Sequence, residues 1–532
     1  MWDYIIVGAG SAGCALAYKL SEDPARSVLL LEAGGKDDHW LVPMPKGFSV
    51  VANNPRYAWR YSTERKAGQG ASPEIWPRGR MLGGSSSLNG MMYHRGQKED
   101  YDGWEAAGNH GWGWDEVLRC FRQMENHSLG ATEFRGVGGP LTVTAGHVRH
   151  KLGDRAIQAG IQMGLRHTDD LNDSGEESVG YWCHTIKNGR RFSAARAFLD
   201  PARKRRNLAI RTDAEVERIL FEDRRAVGVR ARTKNGPVDF QAKSEIIVSA
   251  GAIQSPKLLQ LSGIGPGALL SRHGIPVLHE NKAVGARLLD HVGTMLISRM
   301  FGENGDNANL RGLGLVKSVL RYALLGQGVL STGGEVGAMV RADPNATRPD
   351  TQIMLAGFSM SPPPPGKNQY MGSFDRTPGF TAIGCVLRPT SEGEIMIASA
   401  DPSVPPRILT NMLATEYDRA AAVRMVRYLR KLLSQPALSG IIGEERVIGA
   451  KAQTDEQILA ALAPVVRGFN HAVGTCRMGP GPDSVVDARL RVHGVTNLRV
   501  ADCSIMPTTI SGNTNAPAMM VGWRAAELIQ QS

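Results

Sequence analysis

Asp3-Tyr4-Ile5-Ile6-Val7-Gly8-Ala9-Gly10-Ser11-Ala12-Gly13 stands almost at the start of the chain, and its reading decides the fold. The apolar, partly β-branched run Asp3 to Val7 predicts a buried strand. Cys14 to Leu20 reads as a helix, Ser27 to Leu31 as a second buried strand, and Glu32 ends it. Strand, Gly-x-Gly-x-x-Gly, helix, strand and acid, in that order, are the parts of a dinucleotide-binding βαβ unit. Gly8 allows the tight turn, Gly10 lets the backbone approach a pyrophosphate, and Gly13 lets the helix pack on the sheet. The N-terminus of that helix offers free N–H groups and a partial positive charge to phosphates, and Ser11 and Ala12 in the glycine turn before it are expected cofactor contacts. Glu32 sits where a carboxylate accepts hydrogen bonds from an adenosine ribose. An acid there disfavours a 2′-phosphate, so NADP is set aside and NAD and FAD remain.

A second fingerprint would mean a second dinucleotide. Gly263 to Gly267 is glycine-rich but follows a helix-like stretch, Pro256 to Leu261, and Gly136 to Pro140 reads as a loop. The chain therefore holds one dinucleotide. Glu245 to Ala250 and Asn497 to Ala501 read as further strands of a parallel sheet with ligand at the strand C-termini. Between Gly293 and Pro464, a proline loop, Pro362 to Gly366, and a period-two segment near Gly393 to Ile397 predict a second, sheet-bearing domain.

The 532 residues suffice for more than one domain, and 42% hydrophobic with 21% charged residues is ordinary globular composition. No stretch is long and apolar enough to span a bilayer, and no basic-then-apolar leader precedes the first strand. Six scattered cysteines, with no CxxC pair or zinc spacing, suit a reducing compartment and call for no metal. A cytoplasmic protein is expected, with membrane contact at most peripheral. The net charge is +11, and the densest basic run, Arg203 to Arg206, follows an expected helix end at Leu199 to Pro201. It reads as a solvated loop; an anionic membrane or acidic partner is the sharper alternative. No interleaved aromatics point to nucleic acid.

Several long stretches resemble one family in the expected order. Gly79 to Tyr93 is similar to the first signature of the glucose–methanol–choline (GMC) flavin oxidoreductases, and Gly251 to Gly265 to the second. His471 to Gly479 resembles the family's active-site histidine segment, and Val500 to Asp502 and Asn513 to Pro517 its C-terminal flavin contacts. The resemblance implies an α/β fold with a Rossmann-like FAD-binding domain assembled from residues 1–150, 192–292 and 465–532. It adds a sheet-and-helix substrate domain from 151–191 and 293–464. It implies that Val216 meets the adenine through its backbone and that Asp502 lies along the ribityl or pyrophosphate part. Gly83, Gly84, Ser85 and Asn89 are implied to border the flavin. Ala33, Arg80, Gly90, Met91, Ala250, Gly251, Cys503, Asn513 and Ala516 fall in the same cofactor contacts. Some relatives carry a histidine, covalently bonded to flavin, just before the equivalent of Asn89. Leu88 stands there, so FAD is expected to be non-covalent.

With FAD, a reaction needing a histidine comes into view. Hydride leaves a carbinol carbon for flavin N5 once the hydroxyl proton is drawn off, and a histidine titrates near working pH. His471 is the expected base, and Asn515 the expected partner at the same hydroxyl. Asn515 also reads as a cap of the final helix, Ala516 to Gln530, on which Met519, Met520 and Trp523 face the core. His94, His184 and His291 read as surface or packing residues. Asn470 stands where several relatives have an aromatic residue. The resemblance implies oxidation of a primary alcohol to an aldehyde, with a quinone-type acceptor. The alternatives are an oxidase using O₂, of aryl- or furfuryl-alcohol type, and an FAD-containing lyase or photodecarboxylase. No Gly-x-Ser-x-Gly elbow supports a hydrolase.

Overall fold

The computed structural model describes residues 1–65, 73–146, 148–361 and 372–531. Two large sheets organise it. The first carries a parallel core, Val28–Leu31 beside Trp2–Val7 beside Gly236–Val248 beside Leu498–Val500, with Leu208–Arg211 on the outer side of Val28–Leu31. Ile5, Ile6, Leu29, Leu30, Ile246, Ile247 and Val500 are fully buried, as expected of strands covered on both faces. Gly236–Val248 is long: its N-terminal half pairs antiparallel with Arg225–Thr233, which pairs in turn with Ala214–Glu222. The strand expected at Glu245 to Ala250 is the end of this ribbon.

Two of the parallel strands run through a turn into a helix. Trp2–Val7 leads through Gly8 into Ser11–Leu20, and Gly236–Val248 leads through Ser249 into Gly251–Leu261. Gly8 has φ +103°, and a Cβ on Gly13 would sit 1.9 Å from the Gly8 carbonyl oxygen, so both positions exclude larger residues. The C-terminal helix Asn515–Gln530 packs on Ser11–Leu20, where Trp523 stacks on Tyr18 at 6.0 Å. Met519 and Met520 are fully buried, as read from the sequence.

Gly251–Leu261 starts before the expected Pro256 and contains it. Proline cannot donate to the carbonyl of Ala252, four residues back. The Thr475 hydroxyl donates to that oxygen instead, at 2.7 Å. The helix thus tolerates its proline because the His471 segment supplies the missing donor.

The second sheet runs Ile442–Glu445, Val292–Met300, Gly379–Val386, Thr351–Ala356, Val336–Val340, Ser178–Tyr181 and Arg166–His167, mostly antiparallel. Arg467–Gly468 pairs with its Val292–Met300 strand, C-terminal to the expected boundary at 464. Glu416–Leu433 covers one face with Met425, Val426 and Leu429 fully buried. Pro362 to Gly366 lies outside the described residues. The helical segment expected to end at Pro201 runs on to Ala202, and the basic run after it is tethered: Arg203 pairs with Asp200 at 2.9 Å and Arg205 bonds the Ser21 hydroxyl at 2.9 Å.

Candidate active site

The expected cofactor residues gather at the C-terminal ends of the parallel strands. Glu32, past Val28–Leu31, accepts from the Ala9 N–H at 3.0 Å and the Gly34 N–H at 2.9 Å, so it clasps the glycine loop; burial pushes its carboxyl up to about 7. The Ala214 N–H donates to the Glu32 carbonyl at 2.9 Å, which brings the strand bearing Val216 alongside. Gly34, next to Ala33, abuts the Arg80 backbone, and the Arg80 guanidinium lies over the Trp59 ring at 4.5 Å. The Gly83 N–H donates to the Ala9 carbonyl at 2.8 Å, and Gly84 backs onto Gly10. Asn89 accepts from the Met91 N–H at 3.0 Å, which turns the chain at Gly90.

The Asp502 side chain is spent on the protein. It accepts from the Gly251 N–H at 2.8 Å, the Ser255 hydroxyl at 2.5 Å and the Ser504 N–H at 2.8 Å. It thereby ties the start of Gly251–Leu261, next to Ala250, to the end of Leu498–Val500. Cys503 follows it and is held against the Thr514 carbonyl at 3.8 Å.

These residues leave room for a dinucleotide where one is needed. A Cβ added to Gly10 or Gly251 would meet nothing within 4 Å. The helices Ser11–Leu20 and Asn515–Gln530 both start without a side-chain cap, so their first N–H groups remain available to an anion. Ser11 Oγ donates to Asn515 Oδ1 at 2.8 Å and joins the two starts, beside the buried Ala516. The donor set fits an FAD pyrophosphate.

The amide hydrogen-bonded to His471 is that of Asn513, whose Nδ2 stands 3.1 Å from Nε2. Asn515 is the first residue of the final helix, and its side chain turns back to the glycine loop. Asn513 precedes the helix and faces the imidazole.

His291 was missed as well. The sequence reads it only as a surface or packing residue; it is fully buried, with Nδ1 2.9 Å from Nδ1 of His471 and Nε2 2.8 Å from the Ile510 carbonyl. A carbonyl only accepts, so His291 carries its proton on Nε2. Burial pulls His291 down to about 4 and His471 well below the usual histidine range, so both rings are neutral near pH 7. The bare Nδ1 of His291 then accepts from Nδ1–H of His471, which leaves His471 Nε2 with a lone pair. Asn513 meets that lone pair with an N–H, and its Oδ1 accepts from Gln352 Nε2 at 2.9 Å. Every direction in the series Gln352, Asn513, His471, His291, Ile510 agrees.

Asp290, next to His291, accepts from the His471 N–H at 2.7 Å and the Asn470 N–H at 3.2 Å; burial pushes its carboxyl up to about 7. Asn470 adopts φ +63°, a conformation asparagine tolerates well, and accepts from Arg78 at 2.6 Å. Its amide is thereby turned to Arg78. His94 and His184 are buried, which is the packing alternative expected for them.

Arg191 is a further residue that the sequence did not single out. It is buried beneath the Ser86 to Asn89 turn and donates to the carbonyls of Val42, Ser86, Pro45 and Asn89 and to Asn89 Oδ1. All five acceptors are uncharged, and burial pulls its guanidinium down to about 9.

Residues 2–293 match the N-terminal and 389–522 the C-terminal family model of GMC oxidoreductase. The chain is 38% identical over 535 residues to an alcohol dehydrogenase [acceptor] of Pseudomonas putida, covering 99% of this chain and 96% of that one. It is 38% identical over 545 residues to human mitochondrial choline dehydrogenase, covering 99% and 90%. Among solved structures, an Aspergillus oryzae formate oxidase studied for its FAD modification superposes with TM-score 0.91 at 28% identity, covering 100% and 98%. With two family models matching along the chain and relatives alike over nearly its full length, the chain belongs to the GMC oxidoreductases, FAD-dependent enzymes acting on CH–OH donors.

Proposed function

We propose that this protein oxidises a primary alcohol to an aldehyde with non-covalently held FAD, and that its electrons go to a quinone-type acceptor. The observation that carries the reading is the geometry at His471, whose Nδ1 lies 2.9 Å from His291 Nδ1 and whose Nε2 lies 3.1 Å from the Asn513 amide, an arrangement that favours a lone pair on Nε2. In this reading the substrate hydroxyl displaces the Asn513 N–H from Nε2 and donates its own proton there. Asn513, held by Gln352, then hydrogen-bonds the hydroxyl oxygen, and Asp290 and His291 keep the imidazole in place as it becomes charged. FAD at the strand ends supplies the acceptor for the electron pair leaving the carbinol carbon.

Leu88 supports the non-covalent assignment: it packs with Val42, Tyr57 and Met81 and has no nucleophilic atom to offer a flavin. The likeness to a dehydrogenase named for its acceptor favours dehydrogenase over oxidase chemistry. A cytoplasmic location is supported by six unpaired cysteines. The test is anaerobic mixing of the yellow enzyme with aliphatic, aromatic and polyol primary alcohols. Bleaching of the flavin absorbance, with aldehyde formed and little peroxide on readmitting air, is the expected result. No bleaching by any alcohol would overturn the reading, and stoichiometric peroxide would make the enzyme an oxidase. Acid precipitation is expected to leave a colourless pellet.

A further inference from the structure

The helix Gly312–Leu325 carries its apolar residues on the outside. Leu313, Val316, Leu320 and Leu324 follow one helical face and are 82, 55, 56 and 79% exposed. Val319 and Tyr322, on the other side, pack against a cluster of Met44, Leu310 and Leu330, and the Tyr322 hydroxyl donates to the Pro43 carbonyl at 3.2 Å. A helix on an aqueous surface normally shows the reverse order. Lys317 and Arg321 flank the apolar face, and from Asn307 to Gly334 the sequence contains Arg311, Lys317 and Arg321 but no Asp or Glu. Trp40 and Val50, on the segment that includes Met44, are also exposed, at 66 and 57%.

We propose that this face is a docking surface for an anionic lipid bilayer, with the helix lying in the plane of the interface. The four apolar side chains enter the acyl boundary, Lys317 and Arg321 meet lipid phosphates, and Trp40 adds an interfacial aromatic anchor. Charge complementarity favours lipid over a second copy of the chain. A twofold contact would set this patch against itself, with cations facing cations and no carboxylate on the stretch to neutralise them. The surface is also coupled to the cofactor end of the molecule. The chain leaving the helix reaches Gly333, where a Cβ would lie 2.1 Å from the Gly90 carbonyl oxygen, in the turn expected to border the flavin. This proposal does not rest on the substrate reading, and its test reads no alcohol oxidation.

The experiment is flotation of the purified holoenzyme with phosphatidylcholine vesicles, with and without phosphatidylglycerol. The wild type is expected to float with the anionic vesicles and to be partly released by salt. Leu320→Glu/Leu324→Glu is expected to lower the bound fraction about tenfold. Lys317→Gln/Arg321→Gln is expected to remove the preference for phosphatidylglycerol. An unchanged flavin spectrum shows that each variant is folded, and Leu313→Ser/Leu324→Ser serves if the glutamates prevent folding. A wild type that floats with neither vesicle, or an acidic variant that floats as well as wild type, overturns the proposal. So does a wild-type dimer in sedimentation that the acidic variant dissociates.

Discussion

In the proposed reaction His471 can act as base only while its Nε2 lacks a proton, and its neighbours set that condition. Because burial lowers its pKa, the neutral form persists on the acid side of 6.5. The acid limb of flavin reduction by alcohol is therefore expected below pH 6.5, read from kcat/KM between pH 5 and 9; a limb centred at or above 6.5 would contradict it. His291→Phe keeps the ring volume but removes the acceptor for Nδ1–H. It is expected to slow reduction by about 10² and, by withdrawing the acceptor that supports the charged ring, to move the acid limb downward, whereas His291→Gln, which retains an acceptor oxygen, recovers part of both. A purely structural role would leave the pH profile in place. His471 was legible because its glycine-rich segment resembles a family signature. His291 was not: it comes alongside through the bridge between Leu289 and Val473, and no local pattern announces a partner 180 residues away. Asn513 and Asn515 have the same chemistry two residues apart, so only the point at which the final helix starts separates their directions.

Elements meet at the site through bonds that replace missing ones. The Thr475 hydroxyl stands in for the N–H that Pro256 lacks, so Thr475→Val leaves the Ala252 carbonyl without that donor. Such a loss costs about 1–3 kcal/mol. It is expected as lower resistance to chemical denaturation, with Thr475→Ser close to wild type; equal stability of all three would show the bond to be idle. Arg191 holds the turn expected to border the flavin through uncharged acceptors alone. Arg191→Met is expected to be isolated with less FAD than wild type, read from the ratio of flavin to protein absorbance. The N-terminal βαβ unit was readable because each part has a distinct local pattern. The extent of Gly251–Leu261 was not, because proline argues locally against a helix and its remedy arrives from residue 475.

At the scale of the molecule, the candidate site joins the two sheets. Gln352 belongs to the second sheet, the histidine segment follows a strand paired to it, and the glycine loop caps the first. Gln352→Leu is expected to retain FAD but slow reduction by about tenfold, because the Asn513 amide loses the bond that orients it. Unaltered rates would place Asn513 under other control. The first sheet was largely legible, since its buried parallel strands are continuous apolar runs. The second was seen only as a sheet-bearing region. It is drawn from separated segments, some of two residues, whose pairing depends on contacts far apart in the chain.

The central claim is that His471 takes the hydroxyl proton beside bound FAD, and single-turnover reduction tests it most directly. Wild type and His471→Ala, both loaded with FAD, are mixed anaerobically with saturating primary alcohol while flavin absorbance is followed. The variant is expected to bind FAD normally and to be reduced about 10²–10⁴-fold more slowly. Reduction of His471→Ala at a near wild-type rate would contradict the account.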